Sequence, residues 1–163
     1  MKPFKIQAFA HIAITSLLAC APALALTHIS EKELMEKADL VALGEVVGVD
    51  KGVETTQAQI RLAQVLKGSE APGSIVAIES YGGKVYVDED EPTWAQYKVG
   101  LYFLQKNEQG VYVCVNKADG QKHIFGENVF PYHENVTLGV PLKDYLKSLE
   151  AAVKANPKPV KQG

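Results

Sequence analysis

Two stretches alternate apolar with polar or small residues. In residues 38–49 the apolar positions include Val41, Leu43, Val47 and Val49; in residues 56–68 Ala58, Ile60 and Leu62 alternate with Gln57, Gln59 and Arg61. Successive strand side chains point to opposite faces, so this period of two predicts a pair of half-buried β-strands. The polar link 50–55 joins them as a hairpin. Gly44 and Gly48 interrupt the first strand, where a missing side chain permits a bulge or tight bend, and the second changes phase near Ala63, because Val65 falls on the face that Arg61 occupied. A long, bulged hairpin of this kind is expected to open a small β-barrel.

The flanking sequence supplies the remaining elements. Ser30 as N-cap with Glu33 three residues on makes a capping box, and Ile29 and Leu34 are spaced for a hydrophobic staple, which predicts a short helix over 29–37. Its Leu34 and Met35, with Ala38, are expected to seal one end of the sheet. Pro72-Gly73 turns the chain into a third strand, 74–80, which Tyr81-Gly82-Gly83 ends. Residues 84–87 are a short strand candidate, but Asp88-Glu89-Asp90-Glu91-Pro92 cannot continue a central strand, since like charges repel and proline removes a donor. Strands at 100–106 and 111–116 form a second hairpin through Asn107-Glu108-Gln109-Gly110. Asp119-Gly120 marks a further turn, 122–125 an edge strand, and 126–139 an irregular stretch. Leu142, Tyr145, Leu146, Leu149, Ala152 and Val153 then recur at helical spacing behind Pro141, predicting an amphipathic helix on or near the barrel at 140–155. The basic, proline-containing tail 156–163 is expected to be disordered.

Residues 1–25 read as an export signal: Lys2 and Lys5 precede an apolar run over 8–19, and Ala23-Leu24-Ala25 offers a small-x-small cleavage site. A competing reading takes Leu17-Leu18-Ala19-Cys20 as a lipobox, with Cys20 lipidated and the protein tethered to the envelope. Cleavage after Ala25 leaves 138 of the 163 residues, enough for one domain over 26–139 plus the helix. That chain carries 15 Lys and Arg against 19 Asp and Glu, a net charge of −4, which lacks the basic footprint of a nucleic-acid binder. Its single cysteine, Cys114, lies in the apolar run Val111-Tyr112-Val113-Cys114-Val115 and reads as a buried thiol.

The residues offer no catalytic constellation. G-x-S-x-G is absent, His28, His123 and His133 are scattered, and the paired spacings of zinc ligands do not occur. The acidic run at 88–91 lacks the pattern that bends a loop around Ca²⁺ and reads as a solvated loop. No metal and no cofactor is therefore expected. The aromatic set Tyr81, Tyr86, Trp94 and Tyr97 flanks that loop and is the candidate partner-binding surface, weighed against a role in covering the barrel end.

Ala38-Asp39-Leu40-Val41 with Gly44 and Val46, Val65-Leu66-Lys67-Gly68, the Gly73 turn, Gly82-Gly83, Gly100 ahead of Tyr102-Phe103-Leu104, and Gly110 before Tyr112 follow one another in a recognisable order. This order resembles a loose group of exported bacterial proteins whose OB-like barrel is similar to the netrin-like domain and to the inhibitory domain of tissue inhibitors of metalloproteinases. The match runs from about Ser30 to Phe125 and its motifs are structural. It implies a mainly β fold: a five- to six-stranded OB-like barrel with a short N-terminal helix and a C-terminal amphipathic helix. The cysteine-to-metal mechanism of the animal inhibitors does not carry over, because a helix precedes the first strand and no cysteine pair is available. The expected function is an exported, non-enzymatic binding module, periplasmic or secreted, that contacts a protein or envelope component through loop aromatics or the barrel edge. The alternatives are an inhibitor of a secreted protease or lysozyme, and a structural envelope lipoprotein.

Overall fold

The alternating hairpin is realised as β1 (Leu40–Lys51) and β2 (Thr55–Lys67), antiparallel along almost their full lengths. In the computed structural model, which describes residues 27–85, 91–96, 98–130 and 139–155, the phase change near Ala63 is a bulge. Leu43 opposes Gln64 and Gly44 opposes Leu62, leaving Ala63 as the extra residue; a second extra residue on β2 is Leu66, and one on β1 is Val47. Each bulge adds local bend and twist. Together they coil the hairpin far enough for the start of β1 to pair on its other edge with β4 (Val99–Lys106), Leu40 opposite Leu104 through Glu45 opposite Val99. Gly44 sits where β1 is paired on both sides, facing Leu62 and Gly100, and a side chain there would meet Ile60 Cγ2 at 2.5 Å and the Arg61 carbonyl oxygen at 2.9 Å.

β3 (Ile75–Tyr81) pairs antiparallel with β2, and β5 (Tyr112–Cys114) pairs antiparallel with β4 across the expected hairpin, where Gly110 takes a positive φ of 79°. One parallel bridge, Ile78 to Tyr112, joins β3 to β5 and closes the circuit β1-β2-β3-β5-β4 back to β1. This is a closed five-stranded barrel with the connectivity of an OB-like fold. Three strands extend it: β6 (Gln121–Phe125), β7 (Asn128–Phe130) and β8 (Val140–Pro141). β6 is not an edge strand, as the sequence suggests, because it pairs with β4 on one side and β7 on the other. β7 lies in the stretch that reads as irregular. Lys84 and Val85, the start of the short strand candidate, instead follow β3 as a bend whose amides donate to Gly52 O at 2.9 Å and Val53 O at 3.4 Å.

Burial divides the strands into two kinds. β2 and β3 alternate buried and exposed residues, with one face in solvent, whereas β1 begins and β4 continues with runs buried on both faces. One set of inward residues, Leu40, Ala42, Val46, Ile60, Leu62, Ile78, Tyr102 and Leu104, fills the barrel. The intervening Val41, Leu101 and Phe103 form a second core outside it, with Val115 and Val129, under the two helices.

Those helices are α1 (Glu31–Lys37) and α2 (Leu142–Ala155). α1 starts at the predicted capping box, with Glu33 N–H donating to Ser30 Oγ at 3.3 Å and Ser30 N–H to the Glu33 carboxylate at 3.0 Å. Ile29 and Leu34 pack in the same cluster, as the staple requires. Leu34, Met35 and Ala38 meet Tyr145 and Leu149 of α2 there, and burial of each large apolar side chain contributes about 1.5–3 kcal/mol. Polar ties run along the edges of this layer: Tyr145 Oη donates to Glu31, Lys67 Nζ to the Met35 carbonyl, and Gln64 Nε2 to Glu150 at 3.2 Å. The C-terminal helix therefore packs on its own barrel.

Candidate functional site at the Trp94 end of the barrel

Pro92 and Trp94, in the connection from β3 to β4, cover one end of the barrel. Pro92 is buried, and Trp94 lies against the barrel core with its ring centroid 6.0 Å from that of Tyr102, the planes 21° apart. The indole N–H donates to Ser80 Oγ on β3 at 2.8 Å. Gln121 of β6 holds the neighbouring residue from the other side, its Oε1 accepting from Thr93 N–H and its Nε2 donating to Thr93 O, both at 3.0 Å. Tyr102 is hydrogen-bonded with the same Gln121; burial, followed by the nearby Cys114, pushes its phenol well above the usual range. Every buried polar side-chain atom among the described residues has a partner.

Of the four aromatics marked by sequence, Tyr81 and Trp94 come together here, while Tyr86 and Tyr97 lie outside the described residues. Tyr81, at the end of β3, is 49% exposed. Tyr81 and Trp94 share a cavity of about 170 Å³ with Lys51, Thr56, Ser80 and Glu91. Tyr81 also lines a larger cleft of about 520 Å³, with Glu79 and Ser80 of β3 and Val113 and Cys114 of β5. Lys37, Gln105, Asn116 and Lys117 complete its walls, and Lys117 Nζ lies 3.5 Å from the Glu91 carboxylate. The cleft exists because β5 stops after three residues. Asn116 and Lys117 take left-handed φ values of 49° and 56°, which turn the chain into the 3₁₀ segment Lys117–Gly120 and away from β3.

Cys114 lines the cleft but is 7% exposed, and burial, reinforced by the Glu91 charge, pushes its thiol far up, so the nucleophilic thiolate is suppressed. Of the histidines, His133 lies outside the described residues. His123 is held on β6, where burial and then the nearby Lys98 lower its basicity. His28 serves a structural clamp that sequence reading misses. Asp119, 2% exposed, accepts from His28 Nδ1 at 3.0 Å, Ile29 N–H at 3.2 Å and Asn116 Nδ2 at 2.6 Å, while Asn116 also donates to Thr27 O at 2.9 Å. Burial alone would raise this carboxyl; the hydrogen bonds outweigh it and hold it below its ordinary value. The clamp fixes residues 27–29 beside the cleft.

Among the described residues no group of three or more His, Cys, Asp and Glu is placed to hold a metal ion, and no helix is long and apolar enough to cross a membrane. No protein-family model matches the chain, and no curated protein matches it in sequence.

Proposed function

We propose that the protein is an exported, non-enzymatic binding module that engages a protein or cell-envelope partner at the barrel end around Tyr81. The observation that carries this reading is the position of Tyr81: a half-exposed aromatic at the end of β3 that lines two cavities. Aromatic side chains at such positions supply large contact area at little conformational cost. Trp94 supports the site from beneath, since its indole is committed to Tyr102 and Ser80. The suppressed thiol of Cys114 and the clamp role of His28 favour binding over chemistry. The leader and the netrin-like order of strand motifs motivate export and an extracytoplasmic partner.

Site-specific photo-crosslinking tests the reading. A photoreactive phenylalanine analogue at Tyr81, in cells of the source organism, is expected to give one discrete adduct outside the cytoplasm, and the same analogue at Gln59, on the exposed face of β2, is expected to give none. No adduct from Tyr81, or the same adducts from both positions, overturns it. Metabolic labelling with a palmitate analogue distinguishes a free mature chain from one lipidated at Cys20.

A further inference from the structure

Three adjacent strands each place one side chain in a row on the outer face of the barrel. Ile78 of β3 is level with Tyr112 of β5, and Val113 of β5 with Gln105 of β4. Ile78, Cys114 and Leu104 belong to the core inside the barrel, so Glu79, Val113 and Gln105, one position along each strand, face outward. All three line the cleft of about 520 Å³. Lys37, the last residue of α1, lines it too, and the chain just after it is held beside β4, where Asp39 N–H donates to Leu104 O at 2.7 Å. The row therefore runs from a carboxylate on β3, past an apolar side chain and a carboxamide, to an ammonium group on the β4 side. Among the described residues Glu79, Gln105 and Lys37 make no salt bridge and no side-chain hydrogen bond. Glu33, one turn back on α1, feels the Lys37 charge but is already bonded to Ser30 in the capping box.

We propose that this cleft is a site for a short peptide with free ends, about three residues long, whose ammonium group meets Glu79 and whose carboxylate meets Lys37. This goes beyond the binding-module reading, since it stands on the outer row and adds a small ligand beside Tyr81. Two opposite charges at the two ends of one cleft suit a zwitterion, each end held by a charge-assisted hydrogen bond. The Gln105 carboxamide between them can donate and accept at once, as a peptide group requires. The length follows from the sheet. Neighbouring strands lie ~4.8 Å apart, so Glu79 and Gln105, two strands apart, are separated by about 10 Å, which about three residues span at ~3.3–3.6 Å each. The cleft also lies within the ~300–1,000 Å³ range of ligand pockets. Its wall charges balance, Lys37 and Lys117 against Glu79 and Glu91, which disfavours a polyanion such as nucleic acid. A sugar would need an open aromatic platform, and the Trp94 ring already stacks on Tyr102.

The test titrates trialanine into the isotope-labelled mature protein and follows the amide signals by nuclear magnetic resonance. The amides of Glu79, Gln105 and Val113 are expected to shift, with a dissociation constant of about 1 mM or below. Acetylating the amino end of the peptide or amidating its carboxyl end is expected to weaken binding about tenfold or more, because each removes one charge-assisted pair. Glu79→Gln is expected to weaken the free peptide about tenfold and leave the affinity of the acetylated one unchanged, and Lys37→Met to do the same for the amidated one. Lys143→Met, on the exposed side of α2, is expected to change nothing. The proposal is overturned if trialanine and a pooled tripeptide library leave those amides unmoved at about 10 mM, or if the end-capped peptides bind as tightly as the free ones. It is also overturned if glycerophosphoethanolamine, which carries the same two charges on another skeleton, binds tighter than any peptide. The capped series alters only the ligand, so it decides the matter even where a protein variant fails to fold. A Tyr81 crosslink in cells without tripeptide binding removes this site and leaves the binding module; tripeptide binding without a crosslink removes the module and leaves this site.

Discussion

Trp94 lies over Tyr102 with 6.0 Å between ring centroids, so a residue of the β3–β4 connection caps the core that β4 helps to build. Removing the indole opens a void over Tyr102 and leaves Ser80 Oγ without its donor. Trp94→Ala is expected to cost about 3 kcal/mol, the lower end of large aromatic truncations because the ring is only partly buried. Ser80→Ala, which removes the acceptor alone, is expected to cost about 1 kcal/mol. Urea denaturation of the two variants checks the ranking.

Gly44 and Gly48 interrupt the same strand but differ in what surrounds them. At Gly44 an added methyl meets a backbone oxygen at 2.9 Å as well as Ile60, in a segment paired on both edges; at Gly48 its nearest neighbour is the flexible end of Gln59 at 3.1 Å. Gly44→Ala is expected to destabilise by about 1–3 kcal/mol, the range of core overpacking. Gly48→Ala is expected to stay within about 0.5 kcal/mol of the parent. Equal midpoints in thermal melts of the two variants would refute this account of Gly44.

The Asp119 clamp sets an acid limit. Because the folded carboxyl is held below its ordinary value, its contribution is full above the unfolded value of about 3.9 and is lost as pH falls through the lower folded value. Titration below about pH 4 is therefore expected to release residues 27–29, seen as loss of the amide protection of Ile29, before the barrel strands lose theirs. Asp119→Asn is expected to cost about 1–3 kcal/mol at neutral pH and to flatten that acid limb.

Cys114 is expected to resist thiol reagents in the folded protein. Burial disfavours the thiolate, so alkylation of the mature chain should run at least about tenfold slower than for a free thiol and should rise sharply only in denaturant. Rapid labelling of the native protein at neutral pH would show that the cleft exposes the thiol.

The opening hairpin, the Ala63 bulge, the capping box and the second hairpin were legible because each depends on local spacing. The layer arrangement was less so. Leu101-Tyr102-Phe103-Leu104 is a continuous apolar run, and its division into Leu101 and Phe103 under the helices and Tyr102 and Leu104 inside the barrel follows only from what covers each face. β7 escaped notice because Asn128–Phe130 is too short to show a period, its pairing with β6 supplying the order. At the candidate site, sequence brought Tyr81 and Trp94 together through their flanking of one loop. It could not show that Trp94 caps the core, since Ser80 and Tyr102 become its neighbours only once the barrel closes. Asp119-Gly120 reads as a turn, and the partners that bury Asp119 at His28 and Ile29 lie about ninety residues away.

The double pairing of β1 also governs the order in which the molecule can assemble. A nascent chain can zip β1 to β2 as soon as both have emerged, but the outer edge of β1 waits for residues 99–106, more than fifty positions later. Closing so long an intervening loop is entropically slow, which places ring closure late and the folding time in the slower class of small β proteins. Until then one edge of the first strand stays unzipped, the interval in which a chaperone or a stray strand finds this chain.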